Sequence, residues 1–188
     1  MRIVIGISGA SGSTVGAGFV RRCPGEKFLV VSEWGWKNLE IEAGLSRADL
    51  EPHVKRIFAD DDLAAPFSSG SNPFDALVIT PCSLSTLAKI AAGMAETLIT
   101  RMAQVALKER RRMVLCLRET PLSSIALENA LKLSREGVMI MPICPPFYKD
   151  PRTMQDLVDG YNDKVLSAIG ALDLLPERPK GWREDLLK

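Results

Sequence analysis

Histidine occurs once in the chain, at His53, and the four cysteines, Cys23, Cys82, Cys116 and Cys144, lie far apart with no C-x-x-C pair. Zinc centres and disulfide frameworks are therefore not expected. Charge of one sign is also lacking. A formal net charge of +1 gives no global attraction to nucleic acid, so any anion must be held by local clusters. No apolar stretch approaches membrane length, and the first residues carry one arginine and an apolar run too short and too broken by Gly and Ser for a signal peptide. The sequence alone predicts a cytoplasmic protein with neither membrane nor nucleic acid among its partners. Internal repeats and low-complexity segments are absent as well. What remains is ordinary for one globular domain: 188 residues, 46% hydrophobic and 25% charged.

The stretch that organises the rest is the first. Arg2 to Ser8 is a β-rich apolar run; Gly9-Ala10-Ser11-Gly12 is a turn; Ser13 to Arg22 has a helical pattern. A buried parallel strand followed by a Ser-rich turn predicts a serine N-cap and free backbone N–H groups at a helix end, where an anion belongs. Two commoner phosphate loops do not fit. The glycines at positions 6, 9 and 12 are not G-x-G-x-x-G, and the next strand, Lys27 to Val31, ends in Ser32 rather than an acidic ribose clamp. Gly12 is followed by Ser13 and Thr14, so a Walker lysine is missing. The hydroxyls of Ser8, Ser11, Ser13 and Thr14 suit the single terminal phosphate of a flavin mononucleotide, although Gly9 and Gly12 would equally serve a plain tight turn.

Further along, a helix is predicted from Glu33 to Glu42. Trp34 and Trp36 suit either a flat cofactor or a subunit contact, and Glu42, placed badly for the helix dipole, reads as exposed. Val54 to Phe58 reads as a short edge-like strand, and Asp60-Asp61-Asp62, lacking D-D-x-x-D spacing, as a solvated loop without metal. Pro66 to Pro73 is a long polar loop of the kind that carries function. Asp75 to Thr80 reads as a buried strand, with Ser83 capping a helix from Leu84 to Ala92. A helix from Thr97 to Arg110 places Arg101 and Lys108 on one face. A strand from Met113 to Leu117 leads to Arg118-Glu119 at its carboxyl end. A helix over 122–136, a strand over 138–141, a proline-stiffened lip ending in Phe147-Tyr148 and a final helix over 153–174 complete the domain, with residues 175–188 as an arm suited to a neighbouring subunit. The alternation predicts an α/β fold: a flavodoxin-like or Rossmann-like, doubly wound parallel sheet in three layers, one domain spanning 1–174. Ligands of such sheets collect at the strands' carboxyl ends.

Six stretches in order, Gly6 to Gly12, Ser68 to Ser71, Pro81-Cys82-Ser83, Ala106 to Arg111, Arg118 to Pro121 and Phe147-Tyr148, together resemble the flavin prenyltransferases over roughly Met1 to Leu174. The resemblance implies an enzyme that joins the dimethylallyl group of dimethylallyl phosphate to N5 and C6 of reduced FMN. Its prenylated product serves a partner decarboxylase, and its sites lie between subunits of a homo-oligomer, a dodecamer. Carried over by position, it implies flavin contacts from Gly9, Ala10, Ser11, Ser32, Ser83, Leu84, Ser85, Thr86 and Arg118. Donor contacts would come from Arg101, Lys108, Glu119, Tyr148 and Lys164, and the catalytic set would be Ser11, Glu42, Lys108 and Glu119, with no metal. Lys164 stands where an arginine is common, which keeps the charge but not bidentate recognition. Leu63 stands where some members have a tryptophan. Loss of phosphate from an allylic carbon asks for cations to take the departing charge, and closure at C6 asks for a base and an acid, for which Glu119 and the Ser11 hydroxyl are candidates.

Two other functions compete. A flavin-dependent cysteine decarboxylase of the phosphopantothenoyl type relies on a histidine and a Pro-x-Met-Asn loop that this chain lacks. A non-enzymatic flavin carrier would not need the second cationic set at Arg101, Lys108, Arg118 and Lys164.

Overall fold

Six strands, β1 (Arg2–Ile7), β2 (Glu26–Val31), β3 (Arg56–Ala59), β4 (Ala76–Cys82), β5 (Arg112–Leu117) and β6 (Met139–Ile140), pair in parallel throughout. The computed structural model describes residues 1–187. The spatial order is β3-β2-β1-β4-β5-β6, so the winding reverses between β1 and β4 and opens a crevice at their carboxyl ends. This is the doubly wound α/β fold read from the strand–helix alternation. The central strands are buried on both faces, β4 along its entire length, because helices cover both sides.

Helices α1 (Ser13–Arg22), α2 (Glu33–Ala43), the single turn α3 (Arg47–Leu50) and α7 (Met154–Ile169) cover one face, where Ile3, Ile5 and Ile7 meet Phe19, Leu39, Tyr161 and Leu166. Helices α4 (Leu84–Ala91), α5 (Leu98–Lys108) and α6 (Ser124–Arg135) cover the other, where Val4, Leu77 and Ile79 meet Leu87, Ile99, Met102 and Leu133. Odd and even residues of β1 thus feed different cores, as the period-2 pleat requires.

Helix starts follow local chemistry with one exception. Ser32, Ser83, Thr97, Ser123 and Thr153 each cap α2, α4, α5, α6 and α7 by accepting the N–H of the residue three positions on. Helix α1 differs. Its N-cap is Gly12, at φ 94° and without a side chain to offer, so the serine cap predicted there does not form. The last helix also departs from expectation: it stops at Ile169, where Gly170 adopts φ 74°, and only a 3-10 turn over Leu172–Leu174 continues the apolar pattern. Strand β3 lies at the edge of the sheet, as its short polar-flanked run suggested. The only histidine, His53, is exposed in a 3-10 turn before it.

Candidate functional site

A cleft of about 340 Å³ opens at the carboxyl ends of β1, β2 and β4 and is lined by Gly9, Ser32, Trp34, Asp60, Ser83, Ser85, Thr86, Lys89, Thr97 and Thr100, among others. Three helices present their first residues to it: α2 and α4 leave β2 and β4 directly, and α5 follows α4 in the connection to β5. At α2 and α4 the cap takes one of the orphan N–H groups and leaves others for an anion, whereas at α5 Asp60 takes the Leu98 and Ile99 N–H groups and Thr97 that of Thr100. The cradle is fixed from below. Ser8, buried at the end of β1, donates its hydroxyl to the Pro81 carbonyl (3.1 Å) and accepts the Ser83 N–H (2.9 Å), locking the two strand ends together. Gly9 allows the close approach this needs: a Cβ there would fall 2.5 Å from the Trp34 Cβ. Ala10 is buried behind the turn, and Leu84 packs its side chain on the core, so both offer backbone only.

Asp60 corrects the sequence reading of a solvated aspartate run. Its carboxylate accepts the Ile99 N–H (2.8 Å) at the start of α5, and it lines the cleft. Burial pushes its carboxyl above the usual range, against the opposing pull of the Ile99 N–H and the Thr97 hydroxyl. With Lys89 it was missed because its neighbours are some 30 to 40 positions away.

The N-terminus of α1 already holds an anion, and that anion is Glu42. One carboxylate oxygen accepts the Gly12 N–H (2.9 Å), the Ser13 N–H (2.9 Å) and the Ser13 hydroxyl (2.5 Å). Desolvation is the largest single influence on this carboxyl and pushes it upward. The hydroxyls of Ser13 and Ser11 and the N–H groups of Ser13 and Gly12 together outweigh it and hold the group below the ordinary glutamate value. The free N–H groups expected at this turn are therefore occupied, and Glu42, read from sequence as exposed, is tied down at its tip. Across the turn, Arg118 at the end of β5 donates from Nε to the Ser11 carbonyl (3.3 Å), and Glu119 follows it, exposed, accepting the Thr120 N–H (3.3 Å). Glu42 and Arg118 thus meet on the turn over 11–13, with Glu119 next to Arg118 in the chain.

The remaining candidates lie elsewhere in the chain. Arg101 donates to the Ser68 carbonyl (3.0 Å), and Lys108, at the far end of α5, pairs with Glu109 against Gly70. Both therefore face the 66–73 loop, which Arg111 also grips through the Asn72 and Gly70 carbonyls. Tyr148 and Lys164 pair with each other, the ammonium 5.4 Å from the ring centroid, on the outer side of α7, and Trp182 of the arm meets the same ring edge-on at 5.3 Å. Neither group joins the cleft residues within one chain. Leu63 is exposed. The buried thiols are poor nucleophiles: desolvation pushes Cys23 to about 12 and Cys116 to about 11. Among the described residues, no three His, Cys, Asp or Glu side chains are grouped to hold a metal ion, and no helix is long and apolar enough to cross a membrane.

The family model described as Flavoprotein matches residues 1–166. Flavin prenyltransferase UbiX of Thermoplasma acidophilum is 44% identical over 171 residues, covering 90% of this chain and 95% of that protein. The solved structure of AnUbiX (PadA1) in complex with FMN and dimethylallyl pyrophosphate superposes with a TM-score of 0.89 at 38% identity, covering 97% of this chain and 98% of that one. The dodecameric FMN-dependent Ubix-like decarboxylase from Escherichia coli O157:H7 superposes with a TM-score of 0.91, also at 38% identity, over 97% of this chain and all of the other. With its family matched over most of its length, the chain belongs to the flavin prenyltransferases of the flavoprotein family.

Proposed function

We propose that this protein transfers the dimethylallyl group of dimethylallyl phosphate to N5 and C6 of reduced FMN, supplying prenylated FMN to a partner decarboxylase. The observation that carries the reading is the convergence of the α2 and α4 N-termini and the hydroxyls of Ser32, Ser83, Ser85 and Thr86 on one cleft. This donor set fits a phosphate monoester. Gly9, Ala10, Ser11 and Leu84 would contribute backbone beside it, and Arg118 would lie along the flavin. Bound reduced flavin supplies the nucleophilic ring atoms; the chain's own residues do the rest. Arg101, Lys108 and Lys164 take up the charge of the departing phosphate, Tyr148 shelters the allyl fragment with its ring face, and Glu119 and Ser11 move protons during ring closure.

Because Arg101 and Lys108 lie on one part of the chain and Tyr148 and Lys164 on another, the complete site requires several copies, in a homo-oligomer of the dodecameric kind. The work is done in the cytoplasm, consistent with four unpaired cysteines among the described residues. The cysteine-decarboxylase alternative loses further support, since His53 does not line the cleft.

The test is direct. Incubation with reduced FMN and either dimethylallyl phosphate or the diphosphate should yield a flavin heavier by one five-carbon unit with the monophosphate. Unaltered FMN with both donors refutes the proposal. Calorimetry should also show binding of FMN far tighter than of the adenine dinucleotide.

A further inference from the structure

Residue 163 lies one position before Lys164 yet faces the opposite way, into the protein. Asp163 is a buried charge with two partners from distant parts of the chain. One carboxylate oxygen accepts from Arg22 at the C-terminal end of α1, through Nε and Nη2, both at 2.7 Å. The other accepts from the Lys149 ammonium at 2.9 Å. Its side chain is only 9% exposed, so neither cation can be replaced cheaply by water. Lys149 directly follows Tyr148, in the 3-10 turn that ends the proline-rich lip.

The lip has few other anchors near its tip. Pro146 and the Lys149 stem rest on Gly160, where a Cβ would come within 3.1 Å of the proline ring, and Asp150 turns the chain into α7 at φ 50°. Phe147 is 73% exposed and Tyr148 45%. Besides the contact of the Lys164 ammonium with the Tyr148 ring, this ion pair is the one salt bridge from the lip to the body of the domain among the described residues.

Resting on the reading that Tyr148 and Lys164 hold the prenyl donor, we propose that Asp163 is a positioning residue for that end of the site. Its carboxylate clamps Lys149, and through it the Tyr148 ring, to α1 by way of Arg22. The clamp fixes the ring over Lys164, so that cation and aromatic face are presented together. The flavin cleft, whose lining includes none of Arg22, Lys149 and Asp163, does not depend on it.

Lys149→Gln cuts the fastening at the lip and leaves the Arg22 pair intact; Asp163→Asn removes the charge itself. In each, the KM for dimethylallyl phosphate is expected to rise tenfold or more, with kcat within threefold of wild type and FMN affinity unchanged. Lys149→Arg should restore most of the loss. Amide exchange in the ligand-free protein should quicken over residues 145–150 and not in β1 or β4. If Asp163→Asn fails to fold, Lys149→Gln carries the test. A Lys149→Gln protein with wild-type KM, or with unchanged exchange in the lip, overturns the clamp. Wild-type protein that makes no prenylated flavin instead overturns the functional reading beneath it, and the two failures are told apart by that control.

Discussion

Replacing Glu42 with alanine removes a carboxylate from a helix that has no cap of its own. Three donors converge on its oxygen, two of them backbone N–H groups of the first turn of α1. Loss of an N-cap costs about 1–2 kcal/mol. The favourable meeting of an anion with the α1 dipole, about 0.3–1 kcal/mol, is offset by the unfavourable place of the same charge near the C-terminal end of α2. The net loss is about 1–2 kcal/mol, which in a protein of this length lowers the melting temperature by roughly 2–8 °C. Glu42→Gln keeps an acceptor and should lose less than half of that. The pH dependence is signed. The folded value lies below that of the unfolded chain, so the contribution is fully present above the unfolded value of about 4.3 and fades as pH falls through the folded one. Scanning calorimetry of wild type and Glu42→Ala at pH 7 and in acid should therefore show melting curves that differ at neutrality and draw together as pH falls through the lowered folded value. Equal melting temperatures at pH 7, or a gap that persists unchanged in acid, would refute the reasoning.

Glu119→Gln should leave FMN binding intact and slow formation of the prenylated product by about 10²–10⁴-fold in single-turnover mass measurements, the usual worth of a general acid–base group; a stability loss with normal turnover would reduce Glu119 to a structural role. Gly16→Ala drives a methyl to 2.4 Å from the Thr80 carbonyl, so α1 must back away from β4; the cost should be about 1–3 kcal/mol, read as a lower urea midpoint. Turnover should survive excess chelator, since Asp60 is engaged at the start of α5 and a monophosphate donor can be met by lysine and arginine; loss in chelator with recovery in magnesium would say otherwise.

Much of the scaffold was legible because its signals are local. The alternation of apolar runs with helical periods named the parallel sheet, and Ser83 was legible as the cap of α4, since a cap acts within three residues, whereas the start of α6 was read two residues early, ahead of its cap Ser123. Glu42, Asp60 and Asp163 were legible as acids but not by environment. Their partners sit 29, 39 and 141 positions away, and only the fold brings them together. The end of α7 failed for a different reason: Leu172 and Leu174 extend the apolar period past Gly170, and nothing in periodicity alone says that the glycine has turned left-handed. The division of the cationic residues into separate groups was likewise invisible, because a face shared on one helix says nothing about which end of the sheet that helix reaches.

Helix α5 is a rod of 11 residues, about 16 Å long, with Thr97 at the cleft and Lys108 at the opposite end of the sheet. If Lys108 serves the chemistry at a flavin, that flavin belongs to another copy. The consequence is genetic. A chain crippled at Lys108 and a chain crippled in its cleft at Ser83 should each be inactive alone, yet co-expression should restore activity, because mixed assemblies contain junctions where an intact cleft faces an intact lysine. A lesion at Lys108 would then be recessive at the level of the particle, with activity following the fraction of undamaged junctions rather than the fraction of undamaged chains.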